Sequence, residues 1–121
     1  MNIIFGDNVA DSAREKYTVL ELDTFRISGQ DQTATAYAIL ERIPLEEMGV
    51  LSELVDLHKS LIQEYNKRNW KYCEDAIEQL TGKWNGELDT FYSELLERLQ
   101  LLKTQSLDEA WSGVIVRSTL T

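Results

Sequence analysis

The sequence predicts an α+β fold: a short antiparallel sheet, made of a hairpin plus a short N-terminal strand, then a three-helix segment and an extended C-terminal arm. Three observations lead there. Apolar residues alternate with polar ones between Tyr17 and Glu41, which is the two-residue period of strands. Beyond Pro44 the period changes to the three-and-four spacing of helices. Each helical stripe is broader than one hairpin could cover, so helix must pack on helix as well as on sheet. The 121 residues are one domain's worth. It is read as a single domain, 1–121, with a β-rich part (1–43), a helical part (44–103) and an arm (104–121).

Asn2-Ile3-Ile4-Phe5 is a short apolar, partly β-branched run stopped by Gly6-Asp7, as a short strand would be. Asp7 is placed to cap a helix of one or two turns through Arg14. From Tyr17 to Ile27, Leu20 and Leu22 alternate with Glu21 and Asp23, one set facing a core and the other water. Ser28 to Gln32 supplies turn residues. Thr33 to Glu41 returns with Ala34, Ala36 and Ala38 alternating with Thr35, Tyr37 and Ile39, which completes an antiparallel hairpin.

Pro44 suits a first helical turn, and Glu46 and Glu47 suit the positive end of its dipole. Leu51, Leu54, Val55, His58, Leu61, Ile62 and Tyr65 then line one helical face. Asn66 to Asn69 interrupts it. Trp70, Cys73, Ala76, Ile77 and Leu80 line a second helix, ended by Gly82 in a left-handed cap. After the loop Lys83 to Glu87, a third helix shows Leu88, Phe91, Tyr92, Leu95, Leu99 and Leu102, with Arg98 and Lys103 near its negative end. Gly113 to Arg117 reads as a short final strand or part of an extended arm.

The net charge is −9, with seven acidic against four basic residues up to Pro44 and fourteen against eight after it. Both parts would be repelled by a phosphate backbone or an anionic lipid surface, so neither nucleic acid nor membrane is an expected partner. No apolar run approaches the ~18 residues of a membrane span. Asp7 and Asp11 near the start, with no basic segment before them, argue against a secretory leader, and a cytoplasmic location is expected. The single cysteine, Cys73, excludes an intrachain disulfide.

Three stretches in order resemble one family. Phe5 to Leu40 is similar to the C-terminal end of class III adenylate/guanylate cyclase catalytic domains. There a short strand and helix lead to a closing hairpin of pattern L-D-x-x-R-V-K-G-K. Leu22, Asp23, Arg26 and Gly29 match it, Ile27 stands for Val, and Tyr37 sits near the end of the return strand. Arg68 to Leu80, with Trp70, Cys73 and Ile77, resembles the tetratricopeptide-like helices that follow many bacterial cyclase domains. Ala110 to Arg117 resembles the W-D-G-V element near the ends of those proteins, with Ser112 in place of Asp. The resemblance implies a tetratricopeptide-like helical part. It also implies what is missing. The family's two metal-binding Asp residues lie on earlier strands that have no counterpart here. The two Lys residues of K-G-K are Ser28 and Gln30, and a neutral Gln cannot pair with a triphosphate as an ammonium does. No cofactor, no metal and no cyclase activity are expected.

The remaining chemistry-bearing residues have plain structural readings. His58 is the only histidine, and its neighbours are aliphatic. Cys73 occupies a position that needs a small residue, beside Glu74 and Asp75, which disfavour a thiolate. Glu87, Asp89, Glu94 and Glu97 fit a solvated helix face, with Glu94 and Arg98 four apart. No phosphate-binding glycine motif surrounds Gly29. The expected function is a non-catalytic protein-interaction or regulatory module. Its candidate partner-binding residues are Trp84, Tyr65, Arg68 and Trp111, large aromatics and an Arg being common anchors. Trp84, in a loop, is the expected exposed contact, and Trp111 is expected to pin the tail to the helices. The expected partner is a protein, with a homodimer through an exposed sheet edge as one form. The alternatives are a small-ligand, nucleotide-like pocket, for which Tyr65, His58 and Arg26 would have to converge, and a structural protein without a ligand.

Overall fold

The structure is a computed structural model that describes residues 2–27, 32–41, 48–105, 107, 111, 113 and 115–117. The turn at Ser28 to Asp31, the helix start at Pro44, Glu46 and Glu47, and Ser112 lie outside the described residues. The fold is α+β, built as two compact units: Met1–Ile43 with Gly113–Thr121, and Pro44–Ser112. No helix among the described residues is long and apolar enough to cross a membrane.

The first unit holds β1 (Asn2–Phe5), α1 (Asp7–Ala13), β2 (Tyr17–Ile27), β3 (Thr33–Glu41) and β4 (Ile115–Arg117), with strand order β1-β3-β2-β4. β3 is antiparallel to both β1 and β2, so β1 and β2 run the same way with β3 between them. The final segment, open between strand and arm in the sequence, is a strand: β4 lies parallel to β2 along Phe25, Arg26 and Ile27.

Paired residues share a face of a sheet. Ile3 pairs with Ala38, Phe5 with Ala36, Leu20 with Ala38 and Phe25 with Ala34, so all of these lie on one face. A register shift between Glu21 and Thr24 inserts one extra residue in β2 and returns Phe25 to the face of Leu20. The alanines of the central strand leave room above them. Phe5 and Phe25, two strands apart, approach to 6.4 Å between ring centroids.

The opposite face was expected to meet water, and here the structure differs. Tyr37 is buried, because α1 lies against it. The Tyr37 hydroxyl donates to the Asp7 carboxylate, and the Arg14 guanidinium stands 5.6 Å from the ring centroid. Asp7 is therefore not the expected cap. Gly6, at φ +97°, precedes the helix, and no side chain caps its N-terminus. The carboxylate serves the phenol because a buried hydroxyl needs a partner more than a solvent-facing helix end does.

The second unit holds α2 (Met48–Asn66), α3 (Trp70–Leu80), a single 3-10 turn (Trp84–Gly86) and α4 (Asp89–Leu102). α2 packs on α3 and α3 on α4. The core is made by His58, Leu61, Ile62 and Tyr65 of α2, Cys73, Ala76, Ile77 and Leu80 of α3, and Leu88, Phe91, Tyr92, Leu95 and Leu99 at α4. Gly82 is left-handed at φ +86°, but one residue beyond an extended Thr81, which ends the helix.

Burial, followed by the bond to Asp7, pushes the Tyr37 phenol up to about 12. The folded unit thus favours the protonated phenol. That contribution is complete below about pH 10 and is lost as pH rises toward 12. Tyr37→Phe should cost about 1–2 kcal/mol at neutral pH. It should also reduce the loss of stability between about pH 9 and 12, read by urea denaturation across that range.

Candidate functional site

Of the four candidate partner residues, the structure brings three together. Tyr65 at the end of α2, Trp70 at the start of α3 and Trp111 meet edge-to-face, with ring centroids 5.7 Å (Tyr65–Trp70), 5.6 Å (Tyr65–Trp111) and 5.6 Å (Trp70–Trp111) apart. The link between the helices makes this possible. Arg68 adopts a left-handed φ of +67°, and the Asn69 N–H returns to the Glu64 carbonyl at 2.9 Å. That tight reversal brings Trp70 back over Tyr65. Arg68 then reaches Trp111 twice, with its guanidinium 5.5 Å from the ring centroid and Nη2 donating to the backbone carbonyl at 3.3 Å. The Arg98 guanidinium stands 5.9 Å from the Tyr65 ring centroid. Edge-to-face aromatic pairs and cation–ring contacts each stabilise by about 1 kcal/mol. The three rings pack on one another, so the arrangement is a clamp on Trp111 and leaves no cage between them.

Trp84 is elsewhere in the helical unit and is not the exposed contact that its loop position led us to expect. It is half-buried, and its indole N–H donates to the Tyr92 hydroxyl at 3.0 Å. Three successive residues there have positive φ: Trp84 (+55°), Asn85 (+53°) and Gly86 (+75°). Glycine is at ease in that region and asparagine tolerates it, so Trp84 is the residue held in an unfavourable conformation. The turn is held by Gly86 N–H to the Lys83 carbonyl at 2.9 Å and by the Asp89 carboxylate, which accepts from Gly82 N–H at 2.8 Å.

Behind Trp84 lies a buried polar chain. Tyr92 Oη is 2.9 Å from His58 Nδ1, and both side chains are enclosed by the core. An indole N–H can only donate, so the phenol accepts from Trp84. Its own proton then serves Nδ1 when that nitrogen accepts. Burial pushes the Tyr92 phenol well above its ordinary value; the Trp84 bond opposes this and the Asp89 charge adds to it. No buried side-chain nitrogen or oxygen among the described residues lacks a partner. The chain is a satisfied structural network, and it accounts for the lone histidine.

The other candidates are similarly placed. The Cys73 thiol is buried, 3.8 Å from the Leu61 carbonyl, and is pushed up to about 11 by burial and then by Glu64 and Glu74. It stays protonated at neutral pH. Glu87, Glu94 and Glu97 are exposed. Arg98, four residues from Glu94, lies over the Tyr65 ring. Glu74 is held below the usual carboxylate range, first by the bond from Lys103, which ties α3 to the end of α4. Among the described residues no three His, Cys, Asp or Glu side chains gather to hold a metal. Arg26 belongs to the sheet unit, whereas Tyr65 and His58 belong to the helical one.

The sequence leads one to expect an exposed sheet edge without placing it; among the described strands β1 forms one. Ile3 and Phe5 stand on one face of it and are 49% and 38% exposed. β1 pairs with β3 on one side, and no described strand pairs with the other. The apolar run Asn2 to Phe5 signals a strand, but nothing local signals that it ends the sheet. No protein-family model, curated protein or solved structure matches this chain.

Tyr92→Phe should destabilise the helical unit by about 2 kcal/mol, because it strands both the indole N–H and the imidazole nitrogen. Trp84→Phe removes only the outer donor and should cost about 1 kcal/mol. Thermal unfolding followed by circular dichroism checks the order of the two.

Proposed function

We propose that the chain is a non-catalytic protein-interaction module that takes its partner by strand addition at the outer edge of β1. The observation that carries this reading is the pairing of an open backbone edge with two exposed apolar side chains on one face of the same four-residue strand. Strand addition uses both. Main-chain hydrogen bonds supply affinity, and alternate side chains supply selectivity. Proteins that keep an edge unavailable place charge or proline on it, and Asn2-Ile3-Ile4-Phe5 carries neither.

The resemblance to the end of a class III cyclase fits this reading as an ancestry. A short strand, a short helix and a hairpin are followed by packed helices and a Trp element in the family's order. Cys73 buried against Leu61 of the preceding helix supports a tetratricopeptide-like helix pair, in which a small residue lets two helices approach. In that ancestry the nucleotide chemistry belonged to other strands of the fold, and the usefulness of these residues lies in surfaces.

The test is affinity capture from the source cells with three baits: the native chain, Ile3→Lys, and Val9→Lys as a control. Val9 is 51% exposed on α1, so both substitutions add one charge to an exposed site. A stoichiometric partner recovered with the native chain and Val9→Lys but lost with Ile3→Lys is the expected result. Equal recovery by all three overturns the edge, and a thermal shift of several degrees with a nucleotide and Mg²⁺ overturns the non-catalytic reading.

A further inference from the structure

We propose that the partner seated on the β1 edge is a second copy of this chain, paired antiparallel about Ile4 so that Ile3 of each copy faces Phe5 of the other. This rests on the reading of β1 as the docking edge and names its occupant.

The backbone sets the register. Gly6 N–H donates to the Thr35 carbonyl of β3 at 3.1 Å. Across a trans peptide the preceding carbonyl points the opposite way, and no peptide bond here is cis. The Phe5 carbonyl therefore faces away from β3. In an antiparallel strand the N–H and C=O of one residue point to the same side, and the side alternates along the strand. Phe5 and Ile3 thus present both groups outward, while Ile4 and Asn2 spend theirs on Tyr37 and Ile39 of β3. The two residues with outward backbone groups are the same two whose large apolar side chains are exposed.

Two-fold pairing of identical edges keeps the face of each copy and matches outward groups to outward groups. With Ile4 opposite Ile4, both conditions hold: Ile3 and Phe5 meet twice, in two hydrogen-bonded pairs with four backbone bonds. Their apolar side chains then cover each other on one face. A shift by one residue sets an outward group against an inward one and crosses the faces. A shift by two leaves one exposed side chain of each copy without its counterpart. In the favoured register Asn2 falls beside Gly6, where nothing stands within 4 Å of the missing side chain.

Charge limits where two copies can meet. Each copy carries −9, so two copies can meet only along an uncharged strip. Asn2 to Phe5 has no charged residue, and neither do the β3 residues paired with them, Ala36, Tyr37, Ala38 and Ile39. The strand's own sequence needs no counter-charge.

Analytical ultracentrifugation of the purified full chain tests this without any other protein. The native chain should show twice its mass of 13.9 kDa at sub-millimolar concentration. Ile3→Lys should weaken the dimer by at least about 100-fold, since it places a charge opposite Phe5 twice per interface. Ile4→Cys should give an interchain disulfide on mild oxidation, and Ile3→Cys or Phe5→Cys alone should not. The double variant Ile3→Cys with Phe5→Cys, which alters only partly exposed sites, should cross-link as well. Cys73 is buried and does not compete. A native chain that stays monomeric overturns the second copy, and the edge reading stands if capture still depends on Ile3. A dimer that ignores Ile3→Lys and forms neither cross-link overturns both.

Discussion

Pairing of β3 on both of its sides is the constraint from which the sheet unit follows. A central strand must satisfy two rows of backbone groups, and β2 can supply only one of them. β1 supplies the other, and because it comes first in the chain, α1 must carry the backbone from its end back to the start of β2. The seven-residue helix does so across one face, which is why Tyr37 is enclosed and why Asp7 turns inward. The same arrangement leaves β1, among the described strands, with one side satisfied and one side open. Exposure of Ile3 and Phe5 follows from β1 being the last strand on that side.

In the helical unit the corresponding constraint is polar. Each helix has an apolar stripe, and packing of stripes would be enough for a bundle of uncertain register. His58, Tyr92 and Trp84 add directional bonds that only one arrangement satisfies. The left-handed turn at Trp84–Gly86 is compatible with that requirement, since it delivers the indole N–H to the phenol. At the other end of the same unit, Arg68 takes an unfavourable φ, and the reversal it makes lets Trp70 close on Tyr65 and Trp111.

Local periodicity made the main strands and α3 legible. The spans from Tyr17 to Ile27, Thr33 to Glu41 and Trp70 to Leu80 coincide with β2, β3 and α3, because alternation and helical spacing are properties of neighbouring residues. What stayed hidden depends on partners far along the chain. Tyr37 looks like the outward member of an alternating pair until α1 is laid over it. Asp7 looks like a cap until a buried hydroxyl competes for its carboxylate. Trp84 looks like a loop aromatic until Tyr92, eight residues on, takes its N–H. The open edge of β1 is the clearest case, since the order of strands in a sheet has no signature in four residues.

β4 has a kinetic meaning. Phe25 and Ile115 are neighbours in the sheet but lie ninety positions apart in the chain, with the entire helical unit between them. The hairpin of β2 and β3 closes over a handful of residues, whereas β4 can dock only after a long intervening segment has been brought to a small span. The parallel strand is therefore the last piece of the sheet to assemble during synthesis, and a ribosome-bound nascent chain would hold a finished hairpin whose far flank along Phe25 to Ile27 is still vacant.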